Sequence, residues 1–445
     1  MSFSSLYFIF AFLPLLLVLY YTAAERYKND VLLIGSVLFY GLGSWWQTGI
    51  LAADIVANYF FSSRFSGKNK KSPKRRFWFW ITIAANTGLL VWFKLHPPLP
   101  VGISFYTFQM LAYQIDVYRE DIPCERSLLR FNTYMFFFPK VQEGPITRYG
   151  DFAPDLRRDS CRAENLESGL RFFIVGLAYK VLLADKIGGL WKQISVIGCE
   201  SISTPMAWLG MAAFTLQLYF DFHGYSLMAM GLAQMFGFVL PRNFVFPYCS
   251  TSVSDFYRRW HATLGAWFRD YIYIPLGGSR HGMPATVRNL FIVWVLTGIW
   301  HGTGWNFVLW GISLFFFIAL EKLFLRKYLT RWPVLGHLYV LLVIPLTWML
   351  FANTNLSTLA VYFTRLFPVA SAGINVNLGD WVEYGKGYLP YLAVGCAFLI
   401  PQPELFLLHS RKRRVLVTVI LFTAFWSCII SIHNSASNPF MYLQF

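Results

Sequence analysis

Long stretches without a charged side chain constrain this fold more than any other feature of the sequence. Seven such runs lack Asp, Glu, Lys and Arg, and they cover residues 1–24, 31–53, 201–220, 222–241, 289–320, 332–364 and 415–445. A helix that crosses a membrane needs about 20 consecutive apolar residues. Shorter uncharged runs follow the same pattern at 77–93, 95–115 and 387–403. The sequence therefore predicts an all-α polytopic membrane protein with about eleven transmembrane helices or half-helices.

The charge balance supports a membrane protein and argues against nucleic-acid binding. Charged residues make up 13% of the chain, whereas they reach about 25% in soluble domains. The net charge of +16 matches the Lys and Arg excess that multispanning proteins carry in cytoplasmic loops beside anionic lipid. The six cysteines form no C-x-x-C pair. The charge balance thus predicts no nucleic-acid partner. The cysteine spacing predicts neither a metal site nor a disulfide framework.

Residues 242–288 differ from the uncharged runs, because charged side chains there alternate with aromatic ones. Apolar residues recur every three or four positions from Val253 to Tyr271, which predicts one amphipathic helix. Ser252 is the expected N-cap of this helix. The glycine pair at 277–278 is expected to end the helical segment. The pattern predicts a re-entrant or interfacial element instead of a span.

His301 is the one ionisable side chain within the uncharged run 289–320. An ionisable group at membrane depth is costly, so one interpretation is a functional residue that faces a cavity. The other interpretation is a neutral interior histidine that bonds a neighbouring carbonyl. Gly298, Gly302 and Gly304 favour the functional interpretation, because they are expected to leave space beside the ring for a substrate.

The chemistry available to such a histidine is proton transfer, since its ordinary pKa lies near 6.5. His261 borders the apolar face of the predicted amphipathic helix and could reach the same interior. The sequence contains no nucleophile elbow, zinc-protease helix or phosphate-binding loop of recognisable form. A general base without its own nucleophile indicates direct transfer, in which a deprotonated acceptor hydroxyl attacks an activated acyl carbonyl.

Five short motifs connect these residues to a known family. They are QLYFDFHGYS at 217–226, FYRRWH at 256–261, WFRDYIYIPLGG at 267–278, WHG at 300–302 and GPITRY at 144–149. With these motifs the chain resembles the membrane-bound O-acyltransferase superfamily, and within it the bacterial alginate O-acetyltransferase branch. The resemblance implies a helical fold around a central tunnel. An acyl donor is expected to enter the tunnel from the cytoplasm and an acceptor from the outer face.

The resemblance also implies roles for individual residues. It makes His301 the general base and His261 a second catalytic residue that positions the donor or the acceptor. The expected substrate-binding residues are Asp221, Tyr225, Trp260, Arg269, Trp300 and Trp305, of which the three tryptophans are expected to form tunnel walls. An alternative for the charged motif residues is an internal ion-pair set that holds a re-entrant helix; it comprises Arg258, Arg259, Arg269 and Asp270.

The chain departs from the alginate-type pattern at residues 221–227. That branch usually has Asp-Phe-Ser-Gly-Tyr-Ser-Asp, whereas this chain has His223 in place of the serine and Leu227 in place of the second aspartate. His223 is interpreted either as a further site residue or as a substitute at a packing position. The loss of one carboxylate leaves the identity of the acceptor open.

The expected arrangement is a single integral-membrane acyltransferase domain, residues 1–445. Its predicted parts are N-terminal helices at 1–130, a catalytic core at 131–330 with the re-entrant segment at 242–288, and C-terminal helices at 331–445 with an external loop at 353–387. The expected location is a bacterial cytoplasmic (inner) membrane, which the chain crosses several times.

The leading functional hypothesis is transfer of an acyl group, acetyl in the first instance, to a hydroxyl of a cell-envelope polysaccharide. Acetyl coenzyme A or another acyl thioester is expected as the donor substrate, with no resident cofactor. The expected partners are an acyl-CoA or acyl-carrier protein on the cytoplasmic side, an extracytoplasmic acyltransferase or the polysaccharide itself, and membrane lipid. The alternatives are D-alanyl or other acyl transfer to teichoic acid from a carrier protein, a secondary transporter, and a noncatalytic scaffold.

Overall fold

The computed structural model describes residues 1–67, 71–157, 163–367, 376–410, 412–434 and 440–441, and every regular element in these ranges is helical. This confirms the predicted all-α class. The chain forms two compact units. The first comprises residues 1–176, 225–242 and 432–439, and the second comprises 177–224, 243–431 and 440–445. These bounds differ from those of the predicted N-terminal, core and C-terminal parts.

The first unit is built from helices around an aromatic core. Its α-helices are α1 (Leu13–Thr22), α2 (Lys28–Gly41), α3 (Trp45–Phe65), α4 (Pro73–Leu95), α5 (Ile103–Arg119), α6 (Leu128–Phe136), α7 (Phe138–Val141), α8 (Tyr149–Phe152) and α9 (Ala163–Ala178). The Phe3 ring centroid lies 5.2 Å from that of Phe8 and 5.4 Å from that of Phe39. Buried phenylalanines therefore take the place that aliphatic residues occupy in many cores.

The second unit holds the motif residues around His261 and His301. Its α-helices are α10 (Asp185–Ile197), α11 (Thr204–Met235), α12 (Val253–Arg259), α13 (Ala262–Phe268), α14 (Gly282–His301), α15 (Trp305–Leu320), α16 (Arg326–Arg331), α17 (Pro333–Ala352), α18 (Leu356–Leu366), α19 (Asp380–Gly385), α20 (Leu389–Ala397), α21 (Pro401–His409) and α22 (Arg414–Asn434). The C-terminal part of α11 belongs to the first unit. Short π-helical turns follow α9, α13 and α15 directly, at Tyr179–Ala184, Arg269–Tyr273 and Glu321–Leu325.

Five helices in the described ranges are long and apolar enough to cross a membrane, and a sixth candidate is a bent pair. The five are Pro73–Leu95, Gly282–His301, Trp305–Arg331, Pro333–Ala352 and Arg414–Asn434, and the pair is Asp380–Ala397 with Pro401–His409, bent by 73°. Several spans confirm a multi-pass membrane protein. The predicted number of about eleven is not reached by this criterion.

Two segments contain structural detail that the sequence pattern does not show, and the external position predicted for 353–387 stays a prediction. The run 289–320 does not form one passage, because α14 ends at His301 and α15 begins at Trp305. The predicted external loop at 353–387 contains α18 and α19, and only its residues 368–375 lie outside the described ranges. Absence of charge marks apolar surroundings, but it does not show where the backbone turns.

Helices α14 and α15 approach each other closely at two glycines. A Cβ atom on Gly298 would lie 2.5 Å from the carbonyl oxygen of Phe307. A Cβ atom on Gly311 would lie 2.4 Å from the carbonyl oxygen of Trp294. Small residues at such positions let membrane helices pack backbone to backbone. This contact fixes the end of α14, where His301 lies.

Candidate active site

A cavity of about 780 Å³ in the second unit is lined by both histidines that the sequence singles out. His261 reaches it from the break between α12 and α13, and His301 reaches it from the end of α14. Trp260 and Arg269 also line it. Its volume lies within the range of about 300–1,000 Å³ that is typical of small-molecule sites. The structure thus brings four of the eight predicted site residues to one space.

His301 occupies the last position of α14, next to the turn that leads to α15. It is 7% exposed, and its ring meets the edges of two aromatic rings, with centroid distances of 5.0 Å to Trp310 and 5.1 Å to Phe351. The sequence placed this histidine in the middle of an uncharged passage. In the structure this position is the end of a helix, where the chain turns.

The glycines around His301 serve close packing and do not leave open space. A Cβ atom on Gly302 would lie 2.3 Å from the Phe307 ring, and one on Gly304 would lie 2.3 Å from the Asn306 side chain. The prediction that these glycines make room for a substrate is therefore wrong at these positions. The space beside His301 is the cavity itself, which is lined by residues of α12, α13, α14, α15 and α17.

His261 lies at a break between α12 and α13, with φ of +46°. The single amphipathic helix predicted from Val253 to Tyr271 is therefore interrupted, although Ser252 caps its start as expected, with 3.0 Å between Asp255 N and Ser252 Oγ. The Nδ1 atom of His261 lies 2.9 Å from Oδ1 of Asn243. Burial lowers the pKa of His261 to about 3, so its ring is neutral at pH 7.

Two polar residues of this region were not identified from the sequence. Asn243 contacts His261, and Glu321 lines the cavity with its carboxylate nearly fully buried. The Glu321 Oε2 atom accepts hydrogen bonds from Ser254 N at 3.0 Å and from Ser254 Oγ at 2.6 Å, and thus holds the start of α12. A buried carboxylate at a helix N-terminus is stabilised by free N–H groups there. Glu321 directly follows the uncharged run 289–320, and this position is the signal in the sequence that could have identified it.

The arginines of the charged motifs form local pairs at the surface. Arg258 and Arg259 pair with Asp255 on the same helix, at 3.2 Å and 2.9 Å. Arg269 pairs with its neighbour Asp270 at 2.7 Å. The side chains of Arg258 and Arg269 are 75% and 63% exposed. The alternative of an internal ion-pair set is therefore wrong for these two arginines, and exposed pairs of this kind add little stability.

The predicted tunnel-wall tryptophans lie in three different settings. Trp260 lines the cavity, and its ring centroid lies 4.9 Å from that of Trp348. Trp300 is half-buried, and its ring centroid lies 4.5 Å from that of His301, but it is not among the residues that line the cavity. Trp305 begins α15 and is 73% exposed. A role for Trp300 and Trp305 in substrate binding stays a prediction.

Asp221 belongs to a buried ion-pair cluster away from the cavity lining. Its Oδ1 atom lies 2.7 Å from Lys180 Nζ, which is also 2.8 Å from Asp185. Its Oδ2 atom accepts a hydrogen bond from the backbone N of Met441 at 2.8 Å, and the Phe440 ring lies against the Lys180 amino group. These contacts give Asp221 a structural position. Its predicted substrate contact is not tested by them.

Tyr225 lies in the first unit and does not line the cavity. Its ring stacks on that of Phe3 with a centroid distance of 5.0 Å, and it is 1% exposed. The motif around Tyr225 therefore contributes to the core of the first unit. Its predicted contact with substrate also stays a prediction.

His223 is bound to a distant carboxylate. Its Nε2 atom lies 2.7 Å from Oε2 of Glu404, which also accepts a hydrogen bond from the Tyr179 hydroxyl at 2.9 Å. All three side chains are buried. Within the described ranges His223 is not among the residues that line the cavity. The contact supports the interpretation of His223 as a residue of the packed interior.

We expect His223→Ala to lower the free energy of unfolding by about 2–3 kcal/mol, because the buried Glu404 carboxylate loses a hydrogen-bond donor. The measurement is thermal unfolding of the purified protein in detergent. His223→Gln retains a donor and is expected to recover much of the loss. An alanine variant as stable as the parent would show that this pair contributes nothing.

No cluster of three or more His, Cys, Asp or Glu side chains suited to a metal ion occurs in the described ranges. The site therefore offers two histidines, a buried carboxylate and several arginines. With these groups it can transfer protons and bind anions, which are the two requirements of acyl transfer from a charged thioester.

Comparison with known proteins assigns the chain to a family. Residues 122–361 match the model of the membrane-bound O-acyltransferase family. A probable alginate O-acetylase of Pseudomonas putida is 31% identical, with 100% of both chains covered. A peptidoglycan O-acetyltransferase of Helicobacter pylori is 30% identical over 79% of this chain and 77% of its own. A teichoic acid D-alanyltransferase of Bacillus subtilis is 28% identical over 49% of this chain and 58% of its own.

These relatives decide between the functional classes that the sequence left open. They are named as acyltransferases, and the matched region contains both cavity histidines. An enzyme is therefore favoured over a transporter and over a scaffold. The chain belongs to the membrane-bound O-acyltransferase family, within its alginate O-acetyltransferase-like branch, and is a multi-pass O-acyltransferase.

Proposed function

We propose that this O-acyltransferase moves an acetyl group from a thioester donor on the cytoplasmic side of a bacterial inner membrane to a hydroxyl group of a cell-envelope polysaccharide. One observation carries the proposal: His301 and His261 line the same cavity. A relative named as an alginate O-acetylase along the full length of the chain supports acetyl as the group transferred. Transfer is either direct or completed by an extracytoplasmic partner.

The proposed reaction needs one proton transfer to start and one to finish. His301 takes the proton from the acceptor hydroxyl, and the resulting oxygen attacks the thioester carbonyl. The tetrahedral intermediate collapses, the C–S bond breaks, and the thiolate receives the proton from His301. The imidazolium formed between these steps lies at the C-terminal end of α14, where the helix dipole stabilises positive charge.

The donor entrance is proposed at a group of cations on the cavity lining, which we call the basic rim. It consists of Arg258, Arg269, Lys322 and Arg326. Coenzyme A and the phosphopantetheine arm of a carrier protein both carry phosphate, which Arg and Lys bind well. The exposed position of the rim residues leaves them accessible to such a donor.

We expect the double variant Lys322→Glu/Arg326→Glu to raise the KM for acetyl coenzyme A roughly tenfold while kcat stays within about twofold of the parent, because two attractive contacts with phosphate become repulsive. Initial rates with labelled donor measure both constants. Lys327→Glu is the matched control, since this exposed neighbour does not line the cavity. An equal KM change in the control would show that the rim has no special role.

The proposed function itself is tested with the purified protein in lipid nanodiscs. Labelled acetyl coenzyme A and a soluble polysaccharide acceptor are added, and label on the acceptor or released as acetate is counted. Label transfer supports the proposal. Absence of label, with either coenzyme A or a carrier protein as donor, contradicts it.

A second candidate is D-alanyl transfer from a carrier protein to teichoic acid. The observation that favours it is the similarity to the teichoic acid D-alanyltransferase of Bacillus subtilis. The same assay separates the two candidates, because the second one requires activity with a D-alanyl carrier protein and none with acetyl coenzyme A.

A further inference from the structure

Asn243 contacts three consecutive residues at the break between α12 and α13. Its backbone oxygen accepts a hydrogen bond from Ala262 N at 2.9 Å. Its side-chain Oδ1 lies 2.9 Å from His261 Nδ1 and accepts a hydrogen bond from Thr263 Oγ1 at 2.8 Å. Asn243 is 1% exposed. This one buried residue, 18 positions before His261 in the sequence, thus contacts both the imidazole ring of His261 and the backbone that directly follows it.

The backbone at this break requires such support. His261 has a φ of +46°, a conformation that costs a non-glycine residue about 1–2 kcal/mol. A strained conformation persists where the surrounding contacts determine it fully, and it is often found at functional sites. The bond from Ala262 N to Asn243 O fixes the chain immediately after the strained residue.

The side-chain contact determines which ring nitrogen carries the proton. An amide oxygen only accepts hydrogen bonds, so Nδ1 of His261 is the donor in its contact with Asn243. The lone pair of the neutral ring then lies on Nε2. Burial lowers the pKa of His261 to about 3, so this neutral form is the one present near pH 7.

His261 is buried among aromatic side chains and is one of the residues that line the cavity. The Phe222 ring packs edge-on against the imidazole, with 4.8 Å between centroids. The charged and titratable groups that share the cavity lining are Asp255, Arg258, Arg269, Glu321, Lys322, Arg326 and His301, with Tyr257 and Tyr273.

We propose that Asn243 is a positioning residue for His261, which it holds in the Nδ1–H tautomer, so that Nε2 is the acceptor nitrogen of the ring during acyl transfer. The inference rests on the proposed function, because it takes the cavity as the place of acyl transfer. The substrate group that matches an acceptor nitrogen is an N–H or O–H donor. A pantetheine arm supplies such a donor in its amides, and a sugar supplies it in its hydroxyls.

The test is Asn243→Asp in the full-length protein. Aspartate keeps the shape and accepts the same two hydrogen bonds, but its negative charge stabilises the protonated ring and raises the pKa of His261. We expect the pKa of the His261 ring to rise by about one unit or more. In ¹⁵N NMR of labelled histidine, the parent is expected to show a neutral His261 with a protonated Nδ1, and the variant a ring that gains a second proton as the pH is lowered.

Two further variants separate positioning from a general loss of structure. Asn243→Ala removes the contact, and we expect kcat to fall about 10–100-fold, as is usual when the partner that orients a functional histidine is lost. Asn289→Ala is the matched control, because this buried asparagine bonds the carbonyl oxygens of Leu276 and Gly278. It is expected to lower the melting temperature without changing the pKa of His261.

Each outcome bears on one proposal only. A parental ring protonated on Nε2, or an aspartate variant in which the pKa of His261 is that of the parent, overturns the role of Asn243, while label transfer by the parent still supports the proposed function. Failure of the parent to transfer label overturns the proposed function, and the NMR measurement of the tautomer remains valid without it.

Discussion

His301→Ala is expected to lower kcat for acyl transfer by about 10²–10⁴-fold, with the KM for the donor within about threefold of the parent. The ring lines the cavity and ends α14, so its loss removes the proton acceptor without removing the donor entrance. The measurement is initial-rate transfer of label from acetyl coenzyme A, with the protein in nanodiscs. A fall in kcat without a matching rise in KM is typical of a group that acts in the transition state.

The matched control is His281→Ala, because His281 lies directly before the other end of α14, is exposed and does not line the cavity. This control is expected to retain parental rates. His261→Ala is expected to reduce kcat less than His301→Ala, and the reverse order would exchange their roles. An alanine variant at His301 that transfers label as fast as the parent would remove the general base from the mechanism.

Gly298→Leu is expected to prevent α14 and α15 from packing and to lower the yield of folded protein sharply. The new side chain would meet the Phe307 carbonyl oxygen, which lies 2.5 Å from the position of its Cβ. Overpacking usually costs about 1–3 kcal/mol, and here the obstacle is backbone, which cannot rotate away. Size-exclusion elution and thermal unfolding in detergent measure the effect.

The control for this substitution is Gly88→Leu in α4. A Cβ atom at Gly88 meets no heavy atom within 4 Å, and leucine favours the helix more than glycine does. We therefore expect the Gly88 variant to be at least as stable as the parent. Equal tolerance of leucine at both positions would show that the close approach at Gly298 does not stabilise the pair.

The sequence was informative where one local pattern decides the structure. The uncharged runs predicted a helical membrane protein, and the spacing after Ser252 predicted the start of α12, where the cap is found. The glycine pair at 277–278 was expected to end the helical segment, and both residues have positive φ there. Motif order was enough to identify the family, because several short motifs in one order are specific.

The sequence was less informative where contacts between distant segments decide. The break at His261 keeps the apolar spacing of a continuous helix, so periodicity alone could not reveal it. Asn243 became visible only when the fold placed it against that break. The glycines near His301 were interpreted as substrate space, because a sequence does not show that the Phe307 ring and backbone occupy it.

The contact between Asp221 and Met441 has a consequence for how the protein is made. Translation delivers Lys180 and Asp221 long before the donor at Met441, which follows 220 residues later. Until then one oxygen of this carboxylate lacks its backbone hydrogen bond. The second unit can therefore complete this part of its interior only after Met441 has left the ribosome, and this step follows the synthesis of the earlier helices.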